Sequence, residues 1–243
     1  MLSKELWMRR IRNIVGLMGM ILPWFCLLGY YIAYKRGSSG LTEPFPDSMS
    51  ITYYVTPVLS MVLTTASIVL MTYAGYDWRD RLVTTLSGVF GLFIVLFPCS
   101  DTNGVFEAMH IHDTAGYFQT PVTVNPFVHN VSAVMFFLLL AFNSFFLFTL
   151  SEQNPTQEKK VRNMVYKICA IGMLVAMLFQ LIPVNIPHKT FWIEAVALTF
   201  FGISWLTKGE LWLKDKEEME RIKEERLKKK KERESASSEE TAS

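Results

Sequence analysis

Six stretches of apolar sequence, almost free of charge, constrain this chain more than any other feature. They lie near residues 14–34, 51–74, 82–98, 126–149, 163–184 and 191–207. The hydrocarbon core of a bilayer is about 30 Å thick and takes roughly 20 apolar residues to cross as a helix, because peptide groups cannot stay unpaired in lipid. None of the six carries Lys, Arg or Asp in its middle. The third and sixth, at about 17 residues, sit at the lower limit of that range. Composition agrees: 51% of the 243 residues are hydrophobic, and mean hydropathy is +0.25. These values exclude a soluble enzyme, a secreted disulfide scaffold and a disordered chain. The expected fold is an all-α, polytopic transmembrane bundle of six helices with a cytoplasmic C-terminal helical extension. Its parts are a basic segment over 1–13, a membrane domain over 14–207, a charged helix over 208–234 and a disordered tail over 235–243.

Positive charge sets the direction of threading. Of the 24 Lys and Arg, 21 fall on one side of the six spans. They are Lys4, Arg9, Arg10 and Arg12, then Arg79 and Arg81, then Lys159, Lys160, Arg162 and Lys167, and eleven between Lys208 and Arg233. The other side has Lys35, Arg36 and Lys189. Its 100–125 loop holds Asp101, Glu107 and Asp113 but no Lys or Arg. Both termini are therefore expected in the cytoplasm, with the chain in the plasma (inner) membrane. The opening MLSKELWMRRIRN resembles a signal-peptide n-region. The apolar run after it is too long for one and has no small-residue cleavage site, so it reads as an uncleaved span. The 100–125 loop is placed outside the membrane, with weak helical character at VFEAMHIH.

Cys26, Cys99 and Cys169 fit no metal spacing and read as small core residues. In the tail, Glu217–Arg221, Glu224–Lys228 and Glu225–Lys229 pair at i,i+4, so the sixth span is expected to run on as a helix. Lys228, Lys229, Lys230 and Lys231 could rest on anionic lipid head groups, at about 1 kcal/mol each. Nucleic acid is not an expected partner, because the many Glu would repel phosphate and aromatics are nearly absent. Pro23, Pro57, Pro98 and Pro183 do not fall at matching places in the two halves, so the inverted repeat of a transporter is not evident, and a small transporter stands only as an alternative.

Sorting polar residues by depth gives the candidate site. His110, His112, His129 and His188 all fall on the non-cytoplasmic side. His129, Glu194 and Gln180 each lie about one turn inside the outer end of a span. Asn130, Ser132, Tyr53, Tyr54 and Thr56 belong near the same level, and Asp101 lies just above. Ionisable groups in a bilayer are costly, roughly 2.5–3.5 kcal/mol at its centre, so His129 and Glu194 should turn inward and find partners. Three readings follow. One is a hydrogen-bonded layer that ties helices together. The second is a pocket for a lipid or small amphiphile, lined by His129, Glu194, Gln180, Asn130, Tyr53 and Tyr54, with no cofactor. The third is a zinc site at His110, His112, His129 and Asp101, which would suit a metal-dependent hydrolase. Asn143, near the middle of the fourth span, reads as a donor between helices.

Several segments carry a resemblance. SMSITYYVTP at Ser48–Pro57, GYDWRDRL…FPCS at Gly75–Ser100, VHNVSAVMFF at Val128–Phe137 and FWIEAVALTFFGISWLTKGE at Phe191–Glu210 resemble an uncharacterised bacterial group of six-helix integral membrane proteins. KKVRNMVYKIC at Lys159–Cys169 fits as well. That group is similar in turn to the DRAM-type proteins, and the resemblance implies six helices with cytoplasmic termini and no particular activity. A more distant similarity is to the CREST hydrolases, which include alkaline ceramidases. It would imply zinc-dependent action on a lipid, but this chain lacks the paired His-x-x-x-His of that group.

Overall fold

The computed structural model describes residues 2–37, 40–75, 77–102, 104–150, 156–213 and 227. The expected charged helix and tail past residue 213, including Lys228 to Lys231, lie outside the described residues apart from Leu227. The helices are α1 (Leu2–Arg36), α2 (Val58–Thr72), α3 (Trp78–Leu96), α4 (Val105–Ala108), α5 (Asn125–Phe142), α6 (Gln157–Phe179) and α7 (Lys189–Lys208). A 3-10 helix covers Ser50–Tyr54, and a π-helical turn, Asn143–Leu147, continues α5. Between α4 and α5 a small antiparallel hairpin pairs β1 (Thr114–Ala115) with β2 (Thr120–Pro121). The longer helices close a ring in chain order, α1–α2–α3–α5–α6–α7, with α7 returning to α1.

Four helices are long and apolar enough to cross a membrane: α1, α5 with its π turn, α6 and α7. α2 is apolar but has 15 residues. The faces turned outward are apolar. Leu17, Phe25 and Leu28 on α1, and Ile168, Ile171, Val175 and Leu178 on α6, are all exposed. Soluble chains rarely show so continuous an apolar surface. Polar side chains go inward instead: Ser67, Thr84, Ser87, His129, Asn143, Ser144, Ser204 and Thr207 are buried. An apolar outer surface on long apolar helices, with these polar groups kept inside, suits a membrane-embedded protein.

Local chemistry sets where helices start and stop. Asp77 caps α3 by accepting the Asp80 N–H at 2.9 Å, and Thr156 caps α6 by accepting the Lys159 N–H at 3.2 Å. The expected second span over 51–74 is broken. Pro57 brings no N–H and disfavours helical backbone in the residue before it. Ser50–Tyr54 therefore forms a separate 3-10 helix, and α2 begins only at Val58. The expected fifth span to residue 184 stops at Phe179, and 181–187 is exposed. The last span does not run straight into a charged helix. α7 ends at Lys208, and Glu210 adopts a left-handed φ of 54°. That turn aims the Glu210 carboxylate at Arg9, 2.7 Å away, and Arg162, 2.9 Å away. Asn143 donates to Asp80 at 3.3 Å, joining the π turn to α3.

α1 and α7 approach closely at two glycines. A Cβ on Gly202 would lie 2.8 Å from the Gly16 carbonyl oxygen, and one on Gly16 would lie 3.0 Å from the Gly202 carbonyl oxygen. Backbone meets backbone there, as in small-residue packing of membrane helices. Gly202→Ala should therefore destabilise the protein by about 1–3 kcal/mol, the usual cost of overpacking. Thermal unfolding in detergent reads this directly, and an unchanged melting temperature would contradict the close approach.

Candidate functional site

The site sits at the end of the ring opposite Arg9 and Glu210, where three elements meet. His129 comes from the first turns of α5 and is 4% exposed. Its Nδ1 faces two carbonyl oxygens at the C-terminal end of α3, Phe97 at 2.9 Å and Ile94 at 3.1 Å. Carbonyls only accept, so Nδ1 carries a proton and donates. The last carbonyls of α3 have no partner within their own helix, and the imidazole satisfies them. On the other side of the ring, Nε2 lies 3.0 Å from the Ser50 hydroxyl.

Ser50 opens the 3-10 helix and is 7% exposed. Its hydroxyl also reaches Glu194 Oε1 on α7, at a longer 3.4 Å. The other carboxyl oxygen, Oε2, accepts the Met49 N–H at 2.6 Å. The result is one chain of contacts, Phe97–His129–Ser50–Glu194–Met49. It links α3, α5, the 3-10 helix and α7. The two contacts that flank Ser50 need two protons. The serine supplies one, and the second sits on either Glu194 or His129 Nε2.

The expected site residues separate into those this layer gathers and those it does not. His129 and Glu194 come together, through Ser50 rather than face to face. Ser50 is not among the expected site residues, and its place three residues before the tyrosine pair is its one signal in the residue order. Tyr53 and Tyr54 lie on the same 3-10 helix but point elsewhere. Tyr54 donates to the Cys99 carbonyl at 2.6 Å, and Tyr53 stacks edge-on against Tyr54 and Tyr117. Gln180 is exposed and donates to Thr190 at 3.0 Å, while Asn130 is exposed on α5.

The residues expected as zinc ligands do not converge. Asp101 spends both oxygens on α4, accepting the Val105 N–H at 2.8 Å and the Phe106 N–H at 3.1 Å. His110 and His112 are exposed on the following loop, and both ring nitrogens of His129 are engaged within the protein. Among the described residues no group of three or more His, Cys, Asp or Glu is placed to hold a metal ion.

Comparison with protein-family models, curated proteins and solved structures gives no match, so the site is read from its geometry.

Two outcomes follow. Ser50→Ala strips His129 Nε2 of its partner in a buried place, which should cost about 1–3 kcal/mol. A double-mutant cycle with Glu194→Gln should show coupling near the roughly 0.6 kcal/mol found for membrane hydrogen bonds. Additive effects would mean the chain of contacts does not act as a unit. Burial, then the nearby Cys99, Tyr53 and Asp101, push the Tyr54 phenol up from its ordinary value. The folded chain thus keeps that proton where the unfolded chain releases it, so Tyr54 makes stability fall as pH rises past about 10. Tyr54→Phe loses the bond to Cys99 at neutral pH. Its deficit against the wild type should shrink above pH 10, as measured by chemical unfolding.

Proposed function

We propose that this is an integral membrane protein whose six longer helices cross the bilayer, with the Lys/Arg-rich end in the cytoplasm, and that it holds one acyl chain of a lipid between α6 and α7. The observation that carries this reading is a groove of about 610 Å³, lined by Ile171, Gly172, Val175, Val196 and Phe200 among others. Gly172 makes room for its floor, since a Cβ there would lie 2.6 Å from the Phe200 ring. Polarity enters at one end. The Lys189 ammonium donates to the carbonyls of Gln180 at 3.0 Å and Ile182 at 2.6 Å. An ammonium has three N–H groups, so one remains for a head group. Trp192, half exposed, stands beside it. An apolar slot with a polar group at its rim suits an amphiphile.

The His129–Ser50–Glu194 layer serves this groove at one remove. Glu194 is two residues from Trp192 on α7. Its bonds to Met49 and Ser50 hold that end of α7 against the 3-10 helix, while His129 holds α5 and α3. His129 and Glu194 so set where α7 stands and how wide the groove opens.

Val196→Trp fills the groove from its exposed side. Native mass spectrometry of protein purified in mild detergent should show several-fold less retained lipid, with the melting temperature unchanged. Equal lipid on both proteins would overturn the reading.

A further inference from the structure

The opposite end of the ring carries a different chemistry. Five cations gather there: Arg9 and Arg12 on α1, Lys159 and Arg162 on α6, and Lys208 at the end of α7. The described carboxylates among them are Glu210 and Asp80. Glu210 is shared by Arg9 and Arg162, at 2.7 and 2.9 Å. Asp80 accepts the Asn143 amide at 3.3 Å. Arg12, Lys159 and Lys208 have no carboxylate within ion-pair distance among the described residues.

What these three have instead is backbone and rings. Lys159 and Lys208 both donate to the single Phe148 carbonyl, at 3.2 and 3.4 Å, so two ammonium groups share one neutral acceptor. Lys208 also lies 5.1 Å from the centre of the Phe148 ring and 5.9 Å from that of Tyr166. Arg12 donates to the Tyr73 hydroxyl at 2.7 Å and reaches the Lys208 carbonyl at 3.5 Å. Trp205 packs between Tyr73 and Phe148, fully buried, and its indole N–H has no acceptor among the described residues. Ring faces attract cations but do not neutralise them. Like charges held this close, partly out of water, repel one another strongly. An anion placed among them would relieve that repulsion.

We propose that this cluster binds the phosphate group of an anionic membrane lipid. Phosphate offers several acceptor oxygens to ammonium and guanidinium groups that still have unused N–H donors. The position selects a lipid as its source. The cluster lies where α6 begins and α7 ends, and the ends of spanning helices stand at head-group level. Basic pockets between spanning helices are suited to such head groups. The choice of a lipid rests on the membrane placement proposed above, whereas the phosphate chemistry does not. The site is also separate from the α6–α7 groove, whose Lys189 is at the far end of both helices.

The test uses the full chain in a neutral detergent. Its thermal stability is followed on titration with phosphatidic acid, with phosphatidylcholine, with oleate and with inorganic phosphate. Phosphatidic acid should stabilise the wild type. Phosphatidylcholine, without net charge, and oleate, without phosphate, should do so far less. In the double variant Lys159→Met, Lys208→Met the apparent dissociation constant for phosphatidic acid should rise at least tenfold. The lipid-free melting temperature of that variant should stay level or rise, because repulsion is relieved. A merely structural role for the two lysines would lower it. Replacing Lys228 to Lys231 by Gln should leave the tight phosphatidic acid response in place. Equal affinity in the wild type and the double variant would overturn the proposal, as would equal effects of oleate. Stabilisation by inorganic phosphate as large as that by phosphatidic acid would overturn the lipid as the source. Should the double variant fail to fold, Lys159→Met alone carries the same comparison, with Lys159→Arg expected to restore binding.

Discussion

α7 is held near its start by its own Glu194 and just past its end by Glu210, and the ring depends on those two fastenings. In lipid there is no water to satisfy a stray polar group, and apolar contact between helices gains little over contact with acyl chains. Helices must then be fixed by close packing and by polar groups that find each other. Glu194 does this at one end, binding the Met49 N–H and the Ser50 hydroxyl. Glu210 does it at the other, between Arg9 and Arg162. Between them, Gly16 and Gly202 let α1 and α7 touch along their backbones. Ser204, near the end of α7, donates to Ser144 of the π turn at 2.8 Å.

The two ends differ in how they balance charge. The polar groups of the His129 layer find partners within the chain. Such a layer stabilises and orients. The Arg9–Lys208 end is not balanced by its own described carboxylates, and it packs its surplus against Phe148, Tyr73 and Tyr166. A closed, satisfied layer and an open, charged cluster suit different tasks. The first ties α3, α5, the 3-10 helix and α7 together. The second is suited to an anion from outside the chain.

Much of this is readable in the residue order. Depth along each span follows from counting, and counting alone sets His129 and Glu194 at one level. The inward turn of both follows from the cost of leaving them in hydrocarbon. Asn143 as a donor between helices comes from the same rule. Ser50 cannot be found this way, because a serine is cheap anywhere and carries no depth signal. Gln180 shows the converse: it lies at a plausible depth, yet α6 stops at Phe179 and leaves it exposed. Pro57 is visible as a break, but what the freed Ser50–Tyr54 segment packs against is not. The left-handed turn at Glu210 has no sign in a sequence whose i,i+4 pairs favour helix.

Local order along the chain settled the membrane class and most of the apolar stretches that become helices. Each of these depends on hydrophobicity and charge summed over neighbours in sequence, which need no partner to act. Contacts between distant segments settled the rest: Ser50 as the link between imidazole and carboxylate, Glu210 turned back onto two arginines, and the two lysines left facing one carbonyl. Those outcomes depend on which helices adjoin in the ring and on the rotation of each about its axis. Ser50 meets Glu194 there, and Arg9 meets Glu210, across most of the length of the chain. No local preference encodes such a meeting.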